Sequence, residues 1–336
     1  MNSKVTLVEQ AARRLEELER AGVVVPWEAA GVGLPALAPA APVAPVAPLA
    51  PVAAVAPVAV IEPLASPMAL GTQPAASEPE RHADPAAPPE SPANSVELDL
   101  GRLKEMGYLV PDQLRSEMAQ QFRNVKRPLL KAARNDTQGG MRHARHIMVT
   151  SALAGEGKTF FSLNLAMSMA MEVDTAVLLV DADVVRPTLF SRYGLDVAAI
   201  APNGLLDYLT GRETALHQLM VSTNVPKLTL MSAGRSNNRS SELLSSDAME
   251  QLLEELSRQY PDHVVIFDAP PVLLTTESIA LAGKVGQVVV VVENDKTAKS
   301  AVKSTFDALR HCPNVSAVLN KCEAASLGDR YGYYYE

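Results

Sequence analysis

Ser151-Ala-Leu-Ala-Gly155-Glu156-Gly157-Lys158-Thr159 is the stretch on which the fold turns. It follows an apolar run over residues 147–150 and opens a helical pattern through Leu163, Leu165 and Met169, so it lies between a predicted strand and a predicted helix. In that context the glycines let the backbone close around phosphate oxygens at the positive end of the helix. Lys158 then reaches the terminal phosphates, and the Thr159 hydroxyl is offered to Mg²⁺. Ala152 replaces the first glycine of the usual pattern, which makes the strand and helix on either side part of the signal.

Further strand-like runs lie at 176–180, 228–231, 264–267, 288–292 and 317–319, separated by helical stretches. Short apolar strands alternating with helices predict a doubly wound α/β domain with a mostly parallel sheet. A helix over about 111–131 precedes the first of these strands, with a break or kink expected at Pro128. Two strands end in acids, one in Asp181-Ala182-Asp183 and the other in Asp268-Ala269-Pro270-Pro271. Ligands of such sheets bind beyond the carboxyl ends of the strands, which groups the three carboxylates with the phosphate loop. An acid at a strand end is otherwise read as a helix cap.

The rest of the chain divides by composition. Residues 6–21 predict an amphipathic helix with Thr6 and Glu9 as a capping box, Val8, Ala11, Ala12, Leu15 and Leu18 on one side, and Gly22 as the stop. This gives an N-terminal segment over 1–25, read either as a marginal solvated helix or as one that docks on a partner. Residues 26–95 form an Ala/Pro-rich linker, expected to be disordered and extended, with a reach on the order of 200 Å when stretched. Residues 37–61 carry no charge and are long enough for a membrane span, but Pro39, Pro42, Pro45, Pro48 and Pro51 exclude a helix in lipid. The folded domain is placed at 96–322, and a tail follows at 323–336. Four of the eight tyrosines, Tyr331, Tyr333, Tyr334 and Tyr335, crowd into that tail.

A net charge of -8 argues against a general nucleic-acid binder. Cys312 and Cys322 lack zinc-ligand spacing and read as packing residues in a reducing compartment. Charges within the first twenty residues, and no apolar leader, place the start of the chain in the cytosol.

The phosphate loop, Asp181-Ala-Asp183, Asp268-Ala-Pro-Pro and the tyrosine-rich end together resemble the bacterial tyrosine kinases of polysaccharide export, over about residues 95–336. Gly234 and the run Glu242-Leu-Leu-Ser-Ser fit the same pattern. The linker and the segment 122–130 are most similar to the tyrosine autokinases of exosortase-type exopolysaccharide systems.

The resemblance implies a P-loop NTPase fold of the partitioning-ATPase-like type that uses ATP and Mg²⁺. Gly155, Glu156, Gly157, Lys158, Thr159 and Phe160 would bind the nucleotide, with Asn320 on the adenine side. Lys158 becomes the phosphate clamp, Asp181 the candidate base with Asp183 beside it, and Thr159, Asp183 and Asp268 the metal supports. Tyr331, Tyr333, Tyr334 and Tyr335 become the autophosphorylation sites. Gln120, Arg123 and Lys126 would form the contact of a homo-oligomer. A separate transmembrane chain-length regulator would activate the chain and hold it at the inner face of the membrane without insertion of the chain itself. The tail, being short, is expected to serve a neighbouring subunit, and each phosphate would add about -1.5 to -2 charges.

Val185 stands where an arginine is common in that family, and Gln120 and Lys126 stand where a Glu and an Arg are usual. Two other readings stay open. One is a partitioning or positioning ATPase without kinase activity, but those resemble one another in an early P-loop lysine, where this chain has Leu153. The other is a catalytically silent ATP-binding regulator of a membrane polysaccharide complex.

Overall fold

A computed structural model describes residues 91–134, 142–235 and 240–322. The expected N-terminal helix, the linker as far as residue 90, and the tyrosine cluster lie outside the described residues.

The strands are β1 (Asn94–Val96), β2 (His146–Ser151), β3 (Ala176–Asp181), β4 (Met220–Thr223), β5 (Leu228–Met231), β6 (His263–Asp268), β7 (Gln287–Glu293) and β8 (Val315–Asn320). They form one eight-stranded sheet in the order β1-β4-β5-β3-β6-β2-β7-β8. Neighbours are parallel except for the antiparallel pair β4 and β5. The doubly wound reading therefore holds, and β1 and β4 are additions to it. Neither was visible in the sequence, because Asn94-Ser95-Val96 and Met220-Val221-Ser222-Thr223 are too short and polar to stand out as apolar runs. Strand β1 starts at Asn94, two residues before the expected boundary at residue 96.

Alternation along the central strands sorts the core into two layers. Ile147, Val149, Val177, Leu179, Ile266, Val289 and Val291 pack on one face of the sheet. Met148, Leu178, Val180, Val265, Phe267, Val288 and Val290 pack on the other. A period of two with both sets apolar is what a strand covered by helices on both faces requires. The first layer includes the helices Glu117–Arg134 and Lys158–Ala170, joined by Phe122 and Phe161 with ring centroids 5.4 Å apart. The second is covered by the helices Asp247–Gln259 and Thr276–Ala282.

The helix Glu117–Arg134 passes through Pro128 without ending, contrary to the expected break, and starts later than expected because Pro111–Gln113 is a separate 3₁₀ turn. Pro128 is on the exposed face, where water can satisfy the carbonyl that loses its amide partner. The buried face, with Phe122, Val125, Leu129 and Ala133, keeps the helix continuous past the proline. Lys126 belongs to that buried face. Its ammonium donates to the Ser168 carbonyl at 2.5 Å and pairs with Glu172 at 2.8 Å, so it is committed to its own subunit. Gln120 is exposed, and Arg123, half-buried, donates to the Leu114 carbonyl at 3.0 Å.

His146 begins β2 fully buried, stacked on His143 at 5.1 Å and edge-on to Phe267. Burial, and then the proximity of His143, lowers its pKa to about 3. The unfolded imidazole takes up a proton near pH 6.5, whereas the folded one resists until about 3. Stability is therefore complete above pH 6.5 and falls as pH drops toward 3, by up to about 1.4 kcal/mol per pH unit. In His146→Leu the loss of urea resistance between pH 6.5 and 5 should be shallower than in the parent chain. Parallel curves in the two proteins would show that His146 does not carry this slope.

Candidate active site

Strand β2 delivers the chain to the carboxyl edge of the sheet, and the phosphate loop turns there into the helix Lys158–Ala170. Gly157 shows why the turn needs glycine. Its φ is +97°, and a Cβ added to it would lie 2.1 Å from the Asn320 side-chain nitrogen. The loop is fastened to its neighbours by Val272 N–H donating to Ser151 O at 2.9 Å and by Thr150 Oγ1 donating to Pro270 O at 2.7 Å. The Asp268-Ala-Pro-Pro segment thus braces the loop as well as supplying an acid.

Register brings the acids together. Asp181 and Asp268 are directly paired positions of β3 and β6, and Val149 of β2 pairs with Asp268 on the other side. Lys158 reaches across the loop to Asp183, with Nζ 3.0 Å from Oδ2. Burial by itself would lower the lysine's pKa. Asp268, Asp183 and Asp181 outweigh it and raise the pKa, so the ammonium stays charged.

The three carboxylates have different surroundings. Asp181 is almost wholly buried, and its oxygens accept from Leu189 N–H at 3.0 Å and Asp183 N–H at 3.3 Å. Burial, followed by the charge of Asp268, pushes its pKa up to about 8 despite the Leu189 bond. A carboxylate with that proton affinity suits proton abstraction from a phenol better than an ordinary one. Asp183 is engaged by Lys158 and by Arg186 N–H at 3.1 Å. Asp268 is fully buried, and burial raises its pKa while Lys158, Thr159 and Ser162 oppose the rise. Its Oδ1 accepts from Ser162 Oγ at 3.0 Å, and its Oδ2 meets no donor in hydrogen-bonding geometry.

That unpartnered, fully buried oxygen and the nearby Thr159 hydroxyl form a hard, anionic oxygen donor set, which fits Mg²⁺. Among the described residues, no three His, Cys, Asp or Glu side chains converge to hold a metal by themselves. Phosphate oxygens and water would complete the coordination, as is usual for Mg²⁺ at phosphoryl-transfer sites.

Gly155, Glu156, Gly157, Lys158, Thr159, Asp181, Asp183 and Asp268 therefore meet at one edge of the sheet. Phe160 points elsewhere, against Tyr108 with ring centroids 5.1 Å apart. Asn320 joins the site, but its amide donates to the Glu156 carbonyl at 2.9 Å. Gln120 and Arg123 sit on the helix Glu117–Arg134, away from this edge. Val185 and Leu153 are exposed apolar side chains beside the acids and in the loop. Sequence reasoning missed Ser162, which positions Asp268, and three residues at or just beyond the ends of β7 and β8, namely Glu293, Thr297 and Lys321. Position at the carboxyl ends of strands next to the phosphate loop was the one signal available for the last three.

An AAA domain family matches residues 144–317, which holds the P-loop, the acids and the first half of β8. The chain is 31% identical over 195 residues to the tyrosine-protein kinase YwqD of Bacillus subtilis (strain 168), covering 57% of this chain and 78% of that protein. It is 30% identical over 249 residues to the tyrosine-protein kinase Ptk of Acinetobacter johnsonii, a match that takes in 72% of this chain and 32% of that one. The chain thus spans about a third of that longer relative. The solved BceF tyrosine kinase domain superposes with a TM-score of 0.51 at 25% identity, covering 67% of this chain and 91% of the domain. By this sequence match and the P-loop geometry above, the chain belongs to the AAA-domain P-loop family and, within it, to the bacterial tyrosine-protein kinases.

Proposed function

We propose that this chain transfers the γ-phosphoryl group of ATP to tyrosines of its own C-terminal cluster, and that this regulates exopolysaccharide polymerisation or export. The observation that carries the reading is the Lys158 ammonium, 3.0 Å from Asp183 and charged by its acidic surroundings, standing at the mouth of a phosphate loop. Incoming phosphates would compete with Asp183 for that ammonium. Asp181 would take the proton of the acceptor tyrosine as its oxygen bonds to phosphorus and the bond to the ADP oxygen breaks. Thr159, Asp183 and Asp268 would hold Mg²⁺, which supplies charge neutralisation on the phosphates.

The acceptors proposed are Tyr331, Tyr333, Tyr334 and Tyr335, in a tail that follows Cys322. Asn320 and Lys321 both touch the phosphate loop, so the last described residues lie beside the site. The chain from Lys321 to Tyr331 can extend about 35 Å. Length therefore does not separate a subunit's own site from its neighbour's, as the sequence alone had suggested it would. Transfer between subunits is retained here because modified tails carrying about two negative charges per tyrosine would be repelled by the acidic edge of a neighbour, giving a cycle of assembly and release.

The homo-oligomer contact is assigned to Gln120 and Arg123, and Lys126 contributes by anchoring their helix. No helix among the described residues is long and apolar enough to cross a membrane. Association with a separate transmembrane chain-length regulator accounts for a role at the inner face of the membrane. The absence of a lysine at Leu153 and the tyrosine cluster favour the kinase over a partitioning-type ATPase.

Lys158→Met should lose nucleotide binding and lower phosphotyrosine by at least about a hundredfold with an unchanged circular dichroism spectrum. Undiminished phosphotyrosine in that folded variant would refute the assignment. Asp181→Asn should keep most Mg·ATP affinity and lose transfer, whereas Asp268→Asn should weaken the Mg²⁺ dependence; indistinguishable behaviour of the two would remove the division of roles. Transfer between subunits predicts that a Lys158→Met chain with its tail intact becomes labelled when mixed with an active chain whose four tail tyrosines are Phe. An unlabelled inactive chain means that each subunit serves only itself.

A further inference from the structure

Three polar groups of the phosphate loop that face away from its phosphate-binding hollow are held from one side, by residues at the ends of β7 and β8. Lys321 Nζ donates to the Gly155 carbonyl at 2.7 Å. Asn320 Nδ2 donates to the Glu156 carbonyl at 2.9 Å. The Thr297 hydroxyl donates to the Glu156 carboxylate, whose other oxygen accepts Leu153 N–H at 2.6 Å. Glu293 ties these together. Its carboxylate pairs with Lys321 at 3.2 Å, and its N–H donates to Thr297 Oγ1 at 3.2 Å.

A trans peptide unit is planar, with its C=O and N–H pointing in opposite directions. Holding the Gly155 carbonyl outward therefore aims the Glu156 N–H inward, and holding the Glu156 carbonyl aims the Gly157 N–H inward. These are donors of the hollow in which a phosphate would sit. Lys321 also has a backbone φ of +58°, a conformation that residues with a Cβ seldom adopt, and it brings the side chain back toward the loop. A solvent-facing lysine with no task would have no reason to be held in this way, since its side chain is 44% exposed yet satisfied at both Gly155 and Glu293.

We propose that Lys321 is a positioning residue for nucleotide binding: anchored by Glu293, it presets the N–H groups of Glu156 and Gly157 toward the β-phosphate. The proposal rests on the reading of this loop as a nucleotide site and adds a residue and a role to it. Lys321 does not touch the nucleotide in this account, and its effect passes through the orientation of two peptide units.

The test uses the full chain, a fluorescent ADP with Mg²⁺, and inorganic pyrophosphate as a competitor. Lys321→Met should weaken Mg·ADP about tenfold, the scale of one lost hydrogen bond from a charged donor. Pyrophosphate should weaken by the same factor, because the loss lies in the phosphate hollow. Lys321→Arg should recover most of the affinity, and the melting temperature without nucleotide should match that of the parent. Glu293→Gln, which leaves Lys321 in place but loosens its anchor, should show a smaller loss in the same direction. It also carries the test if Lys321→Met does not fold. The proposal is overturned if both variants bind Mg·ADP as the parent does, or if ADP weakens while pyrophosphate does not, which would place the effect at the base. Failure of the parent chain itself to bind Mg·ADP would instead remove the nucleotide-site reading on which the proposal stands.

Discussion

Three carboxylates at the carboxyl edge of a buried parallel sheet need a compensating cation, and Lys158 provides it. Asp181 and Asp268 are paired positions on adjacent strands, and neither is open to solvent. Like charges so placed raise one another's proton affinity, and burial raises it further. The Lys158 ammonium, bonded to Asp183 and close to Asp268, offsets this at the place where the loop turns into its helix. The positive end of that helix acts in the same sense. The site is thus a balanced cluster of charges, and under the proposed function incoming phosphates would displace Asp183 from the ammonium.

Packing keeps the cluster in register. The central strands are apolar on both faces, so a shift of one strand along its neighbour would disturb two core layers together. The helix Glu117–Arg134 closes one of those layers against the P-loop helix, and Lys126 seals its edge by capping the Ser168 carbonyl and pairing with Glu172. A polar residue that looked like a surface contact is in this way a part of the subunit's own fold. The far side of the loop is held by polar contacts from β7 and β8 instead, because the loop carbonyls exposed there need donors.

Much of this arrangement was legible in the sequence, for reasons that can be located. The strands of the central sheet carry unbroken apolar runs because they are covered on both faces, which makes them conspicuous. The P-loop and the two acid-ended strands lie in continuous segments, so their chemistry survives without knowledge of the fold. The strands β1, at the sheet edge, and β4, beside it, were missed because they are only three and four residues long and hold Asn, Ser and Thr at their more exposed positions. The break expected at Pro128 did not occur because the penalty falls on a face open to water.

What the sequence determined by itself was the doubly wound class, the phosphate loop and the identity of the acids, since each rests on periodicity or on residues adjacent in the chain. Tertiary structure alone decided that Asp181 is held by Leu189 N–H, that Ser162 supports Asp268, and that Asn320 and Lys321 grip the P-loop carbonyls. It also decided that Lys126 is turned inward. Those outcomes depend on which strands become neighbours, and strand order is set by the burial of two core layers at once, which no local stretch of sequence encodes.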